Sequence, residues 1–272
     1  MFKSRSLLAI AACCALLAPR ELQRSAADRL AAAIQSGTAA QLISQLRQGA
    51  DPNWRFANGE TPLAFAILTK HYRKAQLLIT HGANPDVLDH GMTMLSLIAQ
   101  ERTCPVATIR ALLAAGADPD QRNKLSSSTP LLSALQSGAQ ACAQVLIAHG
   151  ASITATDAAG QSALGAAAMG SSHEIVAQLI GRGADVNGGT AQHTTPLMWA
   201  ALRRPDPTSS LGESVIELLL RHGADPCLRD EHGMTAADYA RQMAFTERAS
   251  RLAAACSTWH REHPRHSPSH GP

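Results

Sequence analysis

The stretch Thr129 to Ser152, TPLLSALQSGAQACAQVLIAHGAS, decides how the rest of the chain is read. Thr129 offers a side-chain oxygen to the orphan amides of a first helical turn, and Pro130 fits the first helical position, where no amide is needed. A helix begins there. A tight turn and a second helix follow, and Gly150 closes that second helix as a left-handed C-cap.

The same two landmarks recur along the chain. Gly-Ala followed by Asp, Asn or Ser stands at Gly49, Gly82, Gly116, Gly150, Gly183 and Gly223, at spacings of 33, 34, 34, 33 and 40. Ahead of each later glycine stands a helix start: Thr61-Pro62-Leu63, Thr93-Met94-Leu95, Thr129-Pro130-Leu131, Ser162-Ala163-Leu164 and Thr195-Pro196-Leu197, then a degenerate Thr235-Ala236-Ala237. Cap to glycine is 21 residues in the copies starting at Thr61, Thr129 and Ser162. The second helices carry apolar residues at helical spacing, as in Ile175, Val176, Leu179 and Ile180, or Val215, Ile216, Leu218 and Leu219. Between each glycine and the next cap lie about ten residues rich in Asp, Asn and Gly, which suit a turn or hairpin. The chain is therefore read as an all-α solenoid of stacked repeats.

Composition agrees with this reading and excludes several others. A chain of 272 residues with 45% hydrophobic residues can bury a sizeable core. Lys and Arg number 24 against 21 Asp and Glu, so there is no basic surplus for a phosphate backbone, and nucleic acid is not an expected partner. No run of eighteen apolar residues spans the body. The heavy use of Ala and Arg resembles a GC-rich bacterial coding bias.

Residues 1–18 read as a secretory signal: Lys3 and Arg5, an apolar stretch from Leu7 to Ala18, and small residues near a cut site. Two outcomes stay open. Ile10-Ala11-Ala12-Cys13 resembles a lipobox, which would make Cys13 the lipidated first residue, whereas cleavage near Ala15 or Ala18 would leave a free protein. Either places the mature chain in the periplasm, with or without an envelope anchor.

The paired motifs resemble the ankyrin repeat, with its Thr-Pro-Leu-His helix start and Gly-Ala-Asp-x-Asn helix end, over about residues 25–256. The resemblance implies about seven units, the Ser25–Gly49 and Thr235–Cys256 segments serving as terminal caps. The family histidine is replaced in every copy, by Ala64, Ser96, Leu132, Gly165, Met198 and Asp238, which puts its inter-repeat hydrogen bonds in doubt. The unit starting at Thr195 carries an insertion around Arg203-Arg204-Pro205-Asp206-Pro207-Thr208, read as a surface loop. Residues 257–272, rich in His and Pro, are expected to form a disordered tail.

A search for chemistry yields no catalytic constellation, and no cofactor is expected. His173-Glu174 lacks the second His of a helical zinc site. Gly181-Arg182-Gly183 follows a helix and lacks the remaining glycines of a phosphate cradle. The tail histidines His260, His263, His266 and His270 have no rigid geometry, and no metal is expected.

Four cysteines remain after the leader, an even number for an oxidising compartment. Cys227 follows Gly223-Ala224-Asp225-Pro226, and Cys256 stands where the next unit would put its glycine, so neighbouring units bring them to one side; that pairing is predicted. Cys104 and Cys142 form a second candidate pair, with a plain buried thiol at Cys142 as the alternative.

The resemblance implies recognition of another protein through hairpin tips and the concave face of the first helices. Mapped onto this chain, those positions include Trp54, Arg55 and Phe56 in the first hairpin. Met92 and Met234 stand just before the cap, and Phe65, Leu97, Trp199 and Tyr239 four residues after it. The expectation is a monomeric, non-enzymatic module holding a protein partner: a protector against a toxin or lytic enzyme, or a companion of a stress enzyme. The alternative is a secreted effector that mimics eukaryotic ankyrin proteins in a host cell.

Overall fold

The structure, a computed structural model, describes residues 26–170, 173–204 and 211–263, with the backbone alone at 211–214. Fourteen helices pair in order among these residues. They are α1 (26–35) with α2 (Ala39–Arg47), α3 (Pro62–Leu68) with α4 (Tyr72–Thr80), α5 (Met94–Ala99) with α6 (Val106–Ala114), and α7 (Pro130–Ser137) with α8 (Gln140–Ala148). The series continues with α9 (Ala163–Gly170) and α10 (His173–Gly181), α11 (Pro196–Leu202) and α12 (Leu211–Arg221), and α13 (Ala236–Gln242) and α14 (Thr246–Glu262). Seven helix pairs match the seven repeats read from the sequence.

Local chemistry sets the helix starts. Thr61, Thr129, Thr195 and Thr235 take extended backbone and accept a hydrogen bond from the amide three residues on, with Pro62, Pro130 and Pro196 in the first turn. At the ends of the second helices, Gly49, Gly82, Gly116, Gly150, Gly183 and Gly223 have φ between 86° and 92°. A Cβ there would touch nothing within 4 Å, so the left-handed backbone, not crowding, selects glycine.

The connections are short hairpins. The best-paired is β1 (Leu88–Asp89) with β2 (Met92–Thr93), in the register Leu88 to Thr93 and Asp89 to Met92. His90 and Gly91 turn it with φ of 46° and 85°, the positive pair that a two-residue hairpin needs.

Contacts divide the chain into two compact units. One holds residues up to Leu97 together with Ala107–Asp118; the other holds Ile98–Val106 and everything from Pro119. In the first, α4 packs on α2 and α3 around Leu42, Leu63, Ala75 and Leu78, all fully buried. In the second, the first helices α7, α9, α11 and α13 pack in succession, and so do the second helices α8, α10 and α12. Their core is Leu131, Leu135, Leu146, Leu164, Ile175, Leu179, Leu197 and Leu219, each at 1% exposure or less. Burial on this scale supplies the stability, at roughly 25 cal/mol per Å² of apolar surface.

Repeats are stitched at the hairpin base by Asx side chains. In the first unit Asn53 accepts from the Asn84 amide at 2.7 Å and donates to Gly82 O at 2.9 Å, and Asp86 accepts from the Asp118 amide at 2.9 Å. In the second, Asp120 accepts from the Ser152 amide at 2.8 Å and Asn187 from the Asp225 amide at 2.8 Å. These four residues supply inter-repeat bonds in a chain that lacks the family histidine. Three of the replacements bond to their own cap: Asp238 accepts from the amide and hydroxyl of Thr235, Ser96 accepts from the Thr93 hydroxyl, and the Met198 sulfur accepts from the Thr195 amide. Hairpin tips of the second unit also join through backbone, Ala158 N to Ser126 O, Ala191 N to Ala159 O and Glu231 N to Gln192 O. The approach is close. A Cβ on Gly160 would sit 2.9 Å from the Ala191 amide.

One boundary differs from the sequence reading. Residues 257–262, expected to belong to the tail, continue α14, which runs on to Glu262. Ser257 and Thr258 fold their hydroxyls back onto the carbonyls of Ala253 and Ala254, and the Trp259 ring stacks on His263 at 4.1 Å. These contacts carry the helix through polar sequence. The leader with Cys13, residues 205–210 of the insertion and residues 264–272 lie outside the described residues.

Candidate functional site

The aromatic residues expected on the binding face are half-buried, and Phe56, Phe65, Trp199 and Tyr239 each lean on a neighbour that the local sequence does not reveal. In the first unit Phe56 meets Phe65 edge to face, with centroids 6.0 Å apart. In the second, Trp199 of α11 lies over Gly165 of α9: a Cβ there would be 3.3 Å from the indole. The Trp199 Nε1 is buried without a hydrogen-bond partner among the described residues. Met92, Leu97 and Met234 are also half-buried.

Tyr239 is tied down by its hydroxyl, which donates to Asp230 at 2.6 Å. Burial alone would raise the Asp230 pKa, but hydrogen bonds from Tyr239 and from the amides of Met234 and His232 overcome it, and the carboxyl is held below its ordinary value. Burial, then the bond to Asp230, pushes Tyr239 above its ordinary value. The Asp238 carboxyl is lowered chiefly by the Thr235 amide.

The first hairpin keeps an open feature. Trp54, Arg55, Phe56 and Ala57, with Asp28 of α1, line a cleft of about 310 Å³. Arg55 is exposed and donates to Gly59 O at 2.9 Å.

The exposed large hydrophobics among the described residues are three the sequence reading missed: Leu68 at 44%, Leu125 at 73% and Met169 at 49%. Leu68 and Met169 each stand seven residues after their cap, Thr61 and Ser162, at the ends of α3 and α9. Leu125 is on a hairpin tip. A signal was present. Residues four and seven positions after the cap share one helix face, and the second of these is less covered by the neighbouring repeat.

Both candidate cysteine pairs lie at bonding distance. Sγ atoms of Cys104 and Cys142 lie 2.06 Å apart, and those of Cys227 and Cys256 lie 2.00 Å apart. Cys227 occupies the place that Asn53 and Asn187 hold in their repeats, so two sulfurs at bonding distance stand where an Asx bond would be. His260, read as a tail residue, belongs to α14 one turn beyond Cys256, and a ring nitrogen of His260 lies within 4.8 Å of both sulfurs. Sequence spacing alone kept this trio apart.

Arg248 was also missed. It is 4% exposed, donates to the carbonyls of Ala201 at 3.1 Å and Arg203 at 2.6 Å, and stacks on Phe245 at 4.6 Å. It thereby ties α14 to the end of α11, where the insertion begins.

The motifs, helix pairs and hairpins agree with the family model "Ankyrin repeats (3 copies)", which matches residues 30–123 and 131–230. The chain belongs to the ankyrin-repeat family. Among curated proteins it is similar to the B-cell lymphoma 3 protein homolog of Mus musculus, 32% identical over 180 residues, covering 65% of this chain and 38% of that protein. An ankyrin repeat-containing protein of Treponema pallidum is 46% identical over 59 residues, 22% of this chain and 19% of its own. The chain thus spans well under half of the curated relatives it matches. Among solved structures it is similar to the ankyrin repeat domain of Bcl-3, a member of the IkappaB protein family, with TM-score 0.66 and 28% identity over 83% of this chain and 97% of that one. The human ASB11 ankyrin repeat domain gives TM-score 0.68 at 26% identity, covering 83% and 96%. Ankyrin repeats are protein-interaction modules, and the ankyrin assignment makes the first-helix faces and hairpin tips the candidate site.

Proposed function

We propose that this chain is a non-catalytic ankyrin module of the bacterial periplasm that grips a folded protein partner, either as a protector against a toxin or lytic enzyme or as a companion of a stress enzyme. The observation that carries this reading is the set Leu68, Met169 and Leu125: large apolar side chains left exposed on first-helix ends and a hairpin tip, where ankyrin proteins recognise others. Such side chains lose water-exposed apolar area only when something covers them. The Trp54–Phe56 cleft adds an aromatic-lined recess in the first unit.

Export is supported by the leader pattern, and by two cysteine pairs at bonding distance, a use of cysteine that suits an oxidising compartment. Cell fractionation and the mass of the mature N-terminus test this. Periplasmic recovery with or without lipid on Cys13 agrees; recovery from the cytosol or the growth medium does not.

The partner surface is tested by capture from an envelope extract with the wild-type protein and with Leu68→Glu, Met169→Glu and Arg55→Glu. Losing a side chain that anchors a contact costs about 2 kcal/mol or more. At least one variant is expected to lose the specifically captured protein, and unchanged capture by all three refutes the surface.

A further inference from the structure

Cys227, Cys256 and His260 have a geometry the partner-binding role does not use. Cys256 and His260 lie four residues apart on α14, so their side chains leave the same helix face one turn apart. Cys227 comes from the hairpin of the preceding repeat, and the two sulfurs and a ring nitrogen of His260 lie within 4.8 Å of one another, all half-buried. The His260 Nδ1 is buried and has no hydrogen-bond partner among the described residues. A buried imidazole nitrogen left without a partner is costly, and metal-ligating imidazoles ordinarily have both ring nitrogens engaged.

We propose that, in the dithiol state, these three residues form a Cys₂His site for Zn²⁺, closed when the cysteines are joined as a disulfide. Two thiolates and one imidazole are a borderline-soft donor set suited to tetrahedral zinc, and three protein ligands leave a fourth position for water or a partner's side chain. The chemistry balances. A dithiol reductant gives two electrons and two protons to the disulfide, leaving two thiols and its own disulfide. Zn²⁺ then displaces the two thiol protons as it binds both sulfurs and the neutral imidazole. In the reverse direction a disulfide oxidant takes two electrons from the two thiolates, takes up two protons and leaves as a dithiol; the S–S bond forms and Zn²⁺ is released, so the end of the repeat stack holds either a covalent link or a zinc clamp. The proposal does not depend on the partner-binding reading.

The test uses the untagged full-length protein, reduced with a phosphine under nitrogen, and titrates it with Co²⁺ as spectroscopic probe, then with Zn²⁺ in competition. The reduced wild type is expected to show thiolate-to-cobalt charge-transfer bands that saturate at a single equivalent and are erased by Zn²⁺. The oxidised protein should show none. His260→Ala should weaken binding by at least about tenfold, since even outer-shell partners cost that much, and His260→Cys should restore it. Two controls isolate the site: Cys104→Ser with Cys142→Ala, and His263→Ala with His266→Ala and His270→Ala, should each keep the bands. Equal binding by the oxidised protein, equal affinity in His260→Ala, loss of the bands in either control, or no bands in the reduced wild type overturns the proposal.

Discussion

Tyr239 shows how one side chain can be read correctly for place and wrongly for posture. Its position four residues after Thr235 was legible as part of the first-helix face. Its bond to Asp230 was not, because that depends on how the hairpin closes. Tyr239→Phe removes a hydrogen bond worth about 1 kcal/mol, and chemical denaturation should show a lower midpoint at an unchanged slope. Asp230 carries the pH dependence. Its folded-state pKa lies below the unfolded value of about 3.9, so its contribution is full above that value and lost as pH falls through the lower folded pKa. Acid titrations of stability should therefore fall below about pH 4, and Asp230→Asn should flatten that decline. An unaltered acid profile in the variant would show that Asp230 is not the group responsible. Leu68 and Met169 illustrate the other failure. Their place seven residues after the cap was legible, but the neighbouring repeat sets how much of each side chain stays open, and that degree is not written in α3 or α9.

Helix starts and stops were legible because they are made by local chemistry: a threonine oxygen on an amide, a proline in the first turn, a glycine at positive φ. Thr195→Ala should cost about 1 kcal/mol, and hydrogen exchange should show the loss first in α11. Where an element is held from a distance, the sequence is mute. Arg248 reaches from α14 to carbonyls of Ala201 and Arg203 across more than forty residues of chain, and nothing around Arg248 announces it. Arg248→Ala leaves two carbonyls without that donor and should cost about 2–3 kcal/mol, seen as early melting of α14. Arg248→Lys should recover only part of it, since an ammonium lacks the planar fork of a guanidinium. The run of α14 to Glu262 belongs to the same lesson: its last turns rest on Ser257, Thr258 and Trp259, whose contacts a composition reading counts as tail.

Periodicity is what makes a repeat protein readable as a whole. Each unit touches its neighbours alone, so a motif recurring at 33 or 34 residues fixes the fold before any long-range contact is known. The Asx bonds recur at Asn53, Asp86, Asp120 and Asn187, with Thr154 at the intervening position, and at Cys227 the place is taken by a sulfur at bonding distance from Cys256. Closing a loop with a separation of 29 residues is worth about 3.5 kcal/mol in the chain-entropy model, so Cys227→Ser with Cys256→Ser should loosen the last repeat most, and non-reducing mass spectrometry of the wild type should find the linked peptides. The central claim, that first-helix ends and hairpin tips grip another protein, is tested most directly by oxidative footprinting of the chain alone and with its captured partner. Protection is predicted at Leu68, Met169 or Leu125. Protection confined to the second helices, as at Glu217 or Arg251, would contradict it.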